Sequence, residues 1–290
     1  MSGFAGSGRP TRAAGWSQVP LGARLPALLV VTVVGLAAVV RETAPFVFIG
    51  VLFAYLLMRQ FRSRSTVLAA VLPAAAILVW RALPQPFADP TGLDCANLLA
   101  PPAIWRFLEA AVGLVAVGAI VFDRRGSLGE LGFRRGSRRV RLAAVGALLI
   151  VTPLALYVGT LVGEGRFGIP FFESYTLDFS QPLALVPALV FAASNALAEE
   201  LAYRGAMRTW LTPSLGVVGA NLAQAIVFGL AHTGADFVSL EAAVPTMIAM
   251  VGVGFIAGVV ARRTGSLTLV LAIHAAAAIP IYYYLACRVG

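Results

Sequence analysis

Lysine is missing altogether, and all 22 basic residues are arginine. Lys and Arg serve equally well as cytoplasmic anchors of membrane helices, so we read this as coding bias without mechanistic content. Charge of any kind is scarce. Only 12% of the 290 residues are charged against 59% hydrophobic, and the mean hydropathy is +0.87. A soluble domain of this length would carry far more charge, which leaves a polytopic membrane protein. The net charge of +9 would suit a nucleic-acid partner. Here, however, the arginines cluster at the ends of apolar runs, the pattern of a chain threaded through a lipid bilayer, and no nucleic acid is expected. Two cysteines, Cys95 and Cys287, are too few and too far apart for a zinc or redox motif. A P-loop, a dinucleotide fingerprint and an HExxH helix are all missing. So are internal repeats and paired broken helices, which disfavours a transporter. Histidine is nearly missing too: His232 and His274 are the only two.

What is present is a series of apolar runs. Residues 1–24, rich in Gly, Ser, Pro and Arg, read as a disordered cytoplasmic arm. Spans are expected at about Leu25–Val40, Pro45–Met58, Thr66–Trp80 and Ile104–Phe122, with a Pro-rich loop from Arg81 to Pro102. The segment Asp123–Arg141 holds seven arginines and reads as a cytoplasmic connector. Further spans follow at about Leu142–Val162, from Leu183, Leu215–His232, Ala243–Ala261 and Leu267–Ala286. The expected fold is therefore an all-α, polytopic transmembrane helix bundle of about nine spans. Residues 25–141 form its N-terminal helices and connector, and residues 142–287 its core. With the N-terminus inside, the loops bearing Arg59–Arg64, Arg124–Arg141, Arg204–Arg208 and Arg262–Arg263 all fall in the cytoplasm, as the positive-inside rule asks. Cys95 and Cys287 then share the external side, where a bridge and two unrelated thiols both remain open.

One stretch concentrates the chemistry: Glu199-Glu200 followed by Arg204 at the end of the apolar run from Leu183. Ionisable groups at membrane depth cost roughly 2.5–3.5 kcal/mol each, so they are normally paired and functional. In a helix Glu200 and Arg204 share one face, while Glu199 is rotated by about 100°. The economical division pairs Glu200 with Arg204 and leaves Glu199 free to act on water as a general base. A structural ion-pair network at the membrane edge is the competing reading. His232 shares its helical face with Gln224 and Phe228. If Pro213–Gly216 is the turn of a hairpin, Glu199 and His232 lie about 14 and 16 residues from it, at nearly the same level, ~21–24 Å away. His274 lies ~12 Å inside the last span. It meets Glu199 only if that hairpin projects roughly 10 Å beyond the membrane.

Glu199-Glu200-x-x-x-Arg204, Phe228-x-x-x-His232 and an apolar helix opening with His274 together resemble the CPBP family of type II CAAX prenyl endopeptidases and bacteriocin-processing (Abi) proteins. Gly265-Ser266-Leu267, leading into the last motif, is similar as well. The resemblance covers roughly Leu142–Tyr284; the first 140 residues carry no motif. It implies an all-helical intramembrane endopeptidase of glutamic type that needs no metal. Glu199 would be the base, and His232 and His274 would hold water or the developing oxyanion. The family's last motif usually reads His-x-x-x-Asn or Asp, whereas this chain has Ala278. Asn195, one turn before Glu199, and Gln224, two turns before His232, are candidate replacements for the lost donor.

Three functions follow as expectations. The first is hydrolysis of a peptide bond in a membrane-associated substrate, such as a C-terminal sorting tail, a leader peptide or a lipidated C-terminus. The second is a zinc protease with Glu199, His232 and His274 as ligands. The third is an inactive relative acting as a membrane scaffold or immunity protein, favoured by Ala278. The expected location is the bacterial cytoplasmic membrane.

Overall fold

Leu, Val, Ala and Ile dominate each apolar run, and in a bilayer such a run satisfies its backbone only as a helix or a closed barrel. The runs are helices. The computed structural model describes residues 19–61, 65–84, 95–97, 99–163, 176–177, 182–233 and 240–289. Within these, nine α-helices follow in chain order: α1 (Leu21–Val39), α2 (Ala44–Gln60), α3 (Thr66–Ala82), α4 (Pro101–Asp123), α5 (Arg138–Gly163), α6 (Leu185–Glu199), α7 (Arg208–Leu230), α8 (Leu240–Thr264) and α9 (Thr268–Ala286). A π-helix, Glu200–Met207, joins α6 to α7 without a break. The fold is all-α. The only pairing of extended chain among the described residues is the two-residue Thr176–Leu177 with Arg288–Val289.

Among the described residues, seven helical stretches are long and apolar enough to cross a membrane. One of them, Leu185–Leu230, is 46 residues long and breaks at Gly216, whose φ of 69° lies in the left-handed region that glycine enters without steric cost. Thr66–Ala82 is apolar but shorter. An expectation of about nine spans is compatible with this arrangement.

Three details differ from the sequence reading. α1 begins at Leu21, so residues 21–24 are helical, and residues 1–18 lie outside the described ones. Arg81, expected to open a loop, belongs to the last turn of α3. Arg204 and Arg208, expected in a cytoplasmic loop, are helical, and Pro213 lies inside α7, so the turn is made at Gly216 alone. At ~1.5 Å per residue, the helix from Leu185 to that break is about 46 Å long, well over a ~30 Å hydrocarbon core. Such a length leaves room for the hairpin to project beyond the membrane, as the expected depth of His274 asks.

α3 is the central helix, buried along most of its length and packed against α1, α2, α4, α7 and the π-helix. α9 lies between α5 and α6, and α8 packs on α7. Apolar packing falls into two clusters. One joins α1, α3 and α7 with the π-helix; the other joins Ala188, Phe191, Ile279 and Tyr282. Outside, Phe46, Ile49, Phe53, Leu149, Ile150, Ile248 and Ile256 are exposed, as a bilayer-facing surface should be.

The two ends of the bundle are chemically different. At one end the arginine-rich connector crosses the α8–α9 turn: Arg134 Nε donates to the Gly265 carbonyl at 2.7 Å, and Leu267 N–H to that of Gly132 at 2.8 Å. At the other end Cys95 and Cys287 form a disulfide, their Cα atoms 5.3 Å apart. Of the two possibilities open from sequence, the bridge is the one formed.

Candidate active site

The π-helix begins at Glu200, one residue after Glu199. Its i→i+5 bonding puts more residues in each turn, so successive side chains rotate by less than in an α-helix. Glu199 and Glu200, at the junction of α6 and the π-helix, both face the same histidine. His274 Nδ1 is 2.8 Å from Glu200 Oε1, and its Nε2 is 3.4 Å from Glu199 Oε2. Arg204 Nη1 lies 3.3 Å from Glu200 Oε1, the pair expected from their spacing. All three of Glu199, Glu200 and Arg204 are 1% exposed.

The break at Gly216 returns α7 alongside the π-helix and brings His232 Nε2 to 3.9 Å from Glu199 Oε1. His232 Nδ1 is 2.7 Å from the Phe228 carbonyl. A carbonyl only accepts, so Nδ1 carries the proton and Nε2 presents a lone pair toward Glu199. Glu200 does the same for His274: its carboxylate takes the Nδ1–H, which leaves Nε2 on the Glu199 side. Both imidazoles are thus set in one tautomer by their second nitrogen, and both aim Nε2 at one carboxylate. Their side chains are 28% and 19% exposed against 1% for Glu199. Access to the carboxylate is therefore from the histidine side.

Asn195 Nδ2 lies 3.2 Å from His274 Nε2, so this residue of α6 belongs to the site. Phe228 is the wall: its ring stacks 4.5 Å from His232, stands edge-on to His274 at 6.4 Å, and lies 3.9 Å beneath the Arg204 guanidinium. Gln224 does not join them. Its amide nitrogen donates to Asn221 and, at 2.9 Å, to the Gly254 carbonyl of α8, so it is helix-to-helix glue. Ala278, expected to point into the pocket, is buried in the apolar cluster of Phe191, Ala192 and Tyr282.

Glu199 is not free, contrary to the division of roles drawn from sequence. Arg81 Nη2 is hydrogen-bonded to its Oε1. The same guanidinium grips Glu109 Oε1 through Nε at 2.9 Å and Nη2 at 2.6 Å, and Arg106 Nη1 bonds Glu109 Oε2. One residue from the supposedly motif-free first 140, Arg81, thus reaches the carboxylate pair, and Glu109 and Arg106 stand behind it. A signal for two of the three was present. Arg106 and Glu109 are ionisable groups inside an apolar run, the same cue that singled out Glu199.

No group of three His, Cys, Asp or Glu side chains among the described residues is arranged to hold a metal. The donor set explains why: the Arg81 guanidinium occupies Glu199 Oε1, and an amide nitrogen faces His274 Nε2.

Residues 181–279 match the family model described as Type II CAAX prenyl endopeptidase Rce1-like. That segment holds Asn195, Glu199, Glu200, Arg204, Phe228, His232 and His274, and it leaves out Arg81, Arg106 and Glu109. No curated protein and no solved structure matches the chain. The long apolar helices and the match to this family model make the chain a multi-pass integral membrane protein.

Proposed function

We propose that this protein is an intramembrane endopeptidase in which Glu199 activates water for attack on a peptide bond of a membrane-associated protein. The observation that carries the reading is the convergence of His232 Nε2 and His274 Nε2 on one buried carboxylate, whose Oε2 has no hydrogen-bond donor from the described residues. A water lying between the two imidazoles has its hydrogens accepted by Nε2 and by Glu199 Oε2. As its oxygen bonds to the scissile carbonyl carbon, its proton passes to Glu199. The carbonyl oxygen takes the negative charge, and the second N–H of Asn195 is the donor placed to meet it. The Glu199 proton then goes to the leaving nitrogen as the C–N bond breaks. Glu200 and Arg204 fix His274 and do not touch substrate.

The chemistry needs no metal, and the arginine on Glu199 disfavours zinc there. A chelator that leaves turnover unchanged is the expected result; loss restored by added zinc would move Glu199, His232 and His274 to the role of ligands. Substrates fitting a site open on its histidine side at membrane depth are lipidated C-termini, leader peptides and hydrophobic sorting tails.

The test is cleavage, by purified protein in nanodiscs, of three quenched-fluorescent peptides: a farnesylated CAAX-type tail, its unprenylated form, and a hydrophobic tail. Cleavage of one of them should fall ~10²–10⁴-fold in Glu199→Gln. A protein that binds one of the peptides and cleaves none is instead a scaffold.

A further inference from the structure

Arg81 and Glu109 lie on α3 and α4, outside the segment matched by the family model, yet Arg81 ends on the reacting carboxylate and Glu109 holds Arg81. Arg81 is 8% exposed and Glu109 is fully buried. The linkage is directional. Arg106 holds Glu109 Oε2, so Glu109 Oε1 is left to take both Nε and Nη2 of Arg81, and the guanidinium plane is set by that two-point grip. Nη2 then ties Glu199 Oε1. The other oxygen, Oε2, accepts no hydrogen bond from the described residues and faces His274.

Charge reinforces the geometry. Glu109, Glu199 and Glu200 are buried carboxylates, and Arg81, Arg106 and Arg204 are the guanidiniums that meet them, so the cluster is neutral with both imidazoles uncharged. Without Arg81, Glu199 would be held in a low-dielectric site by the imidazoles alone.

We propose that Arg81, oriented by Glu109, is a positioning residue for the reaction: it immobilises Glu199 Oε1 so that Oε2 is the oxygen presented to water between His232 and His274. This rests on the protease reading given above. A lysine keeps the charge but is a single-point ammonium, unable to hold Glu109 by two N–H groups while reaching Glu199. With Oε1 untied the carboxylate rotates, and the near-attack geometry is lost; a misplacement of about 1 Å costs roughly 10²-fold.

The experiment uses the full chain in nanodiscs with the farnesylated CAAX-type peptide and, if that is not cleaved, whichever of the other two peptides is. Arg81→Lys should lower kcat by about 10–10²-fold with KM changed less than about twofold. Glu109→Gln should give a smaller loss of the same kind. Added to Glu199→Gln, Arg81→Lys should cost nothing further, because the group it positions is gone. A second readout needs no turnover: the 13C resonance of the Glu199 carboxyl, assigned by its disappearance in Glu199→Gln, should move in Arg81→Lys. Unchanged kcat overturns the proposal whether or not the resonance moves. So does a loss confined to KM, or one that appears equally in the Glu199→Gln background. If the unaltered protein cleaves none of the peptides, the protease reading fails. In that case a shifted resonance supports the Arg81 tie to Glu199, and an unshifted one overturns it.

Discussion

Glu200 and Glu199 are neighbours with different partners, and the difference predicts different losses. Glu200 meets Arg204 at 3.3 Å and His274 Nδ1 at 2.8 Å. In Glu200→Gln the buried Arg204 loses its partner, a change that costs about 3–5 kcal/mol in such pairs. We expect a clear fall in thermal stability, read by unfolding in detergent, together with reduced turnover because the His274 tautomer is no longer fixed. Glu199→Gln leaves Arg81 still paired with Glu109, so it should cost less thermal stability than Glu200→Gln while losing turnover. Equal, purely catalytic losses from the two changes would refute the division. Asn195→Ala removes the one amide donor facing His274 and should lower turnover by ~10²–10³. Ala278→Asn, which restores the usual family residue, is expected to destabilise the protein. Its amide would enter the apolar packing around Phe191 and Tyr282. If Ala278→Asn raises activity in the Asn195→Ala background, the amide reaches the site after all.

Among the elements, the α7–α8 contact shows how two helices bring His232 into place. Gly229, Gly254 and Gly258 let the backbones approach, and a Cβ on Gly258 would collide with the Asn221 carboxamide. Asn221 Nδ2 donates to the Phe255 carbonyl at 3.0 Å, and Gln224 Nε2 to that of Gly254 at 2.9 Å. Small residues with amide bonds across the seam are the usual way helices associate where apolar burial gives no driving force. Gly258→Val should force α8 off α7, lowering thermal stability and, through α7, turnover. Gln224→Leu should do so more mildly, since it removes two donors but adds no clash. A Gly258→Val protein with wild-type stability would mean that the seam is not what holds α7.

For the whole molecule, we propose an orientation on two independent features. The connector arginines and the Arg262–Arg263 turn lie together at one end, which the positive-inside rule places in the cytoplasm. The Cys95–Cys287 disulfide lies at the far end of α9, and disulfides persist on the oxidising side. The two arguments agree. A reporter after Arg135 or Arg263 should read as cytoplasmic, and one after Gly290 as external; an external Arg135 would overturn both the orientation and the depth assigned to the site. The bridge closes a loop across a sequence separation of 192. Its removal by Cys95→Ser should cost about 2–5 kcal/mol of stability, checked by unfolding with and without reductant.

The repertoire of helices was legible from the sequence because bilayer physics allows an apolar run little else. Glu199, Glu200, Arg204, His232 and His274 were legible for the same reason: a charge or an imidazole in such a run stands out by its cost. Even the hairpin could be reasoned from equal distances to a turn, and the structure closes it at Gly216. Tertiary structure decided the rest. Arg81 lies at a helix end, where an arginine is unremarkable, and only the packing of α3 against α4 and the π-helix carries its guanidinium to Glu199. The π-helix has no signature in the residue pattern, and the two adjacent carboxylates at its start meet one histidine because α9 packs on α6. Gln224 and Ala278 share helical faces with the histidines, but a face is wider than a site. Which neighbour covers each part of it is set by interhelical packing, not by periodicity.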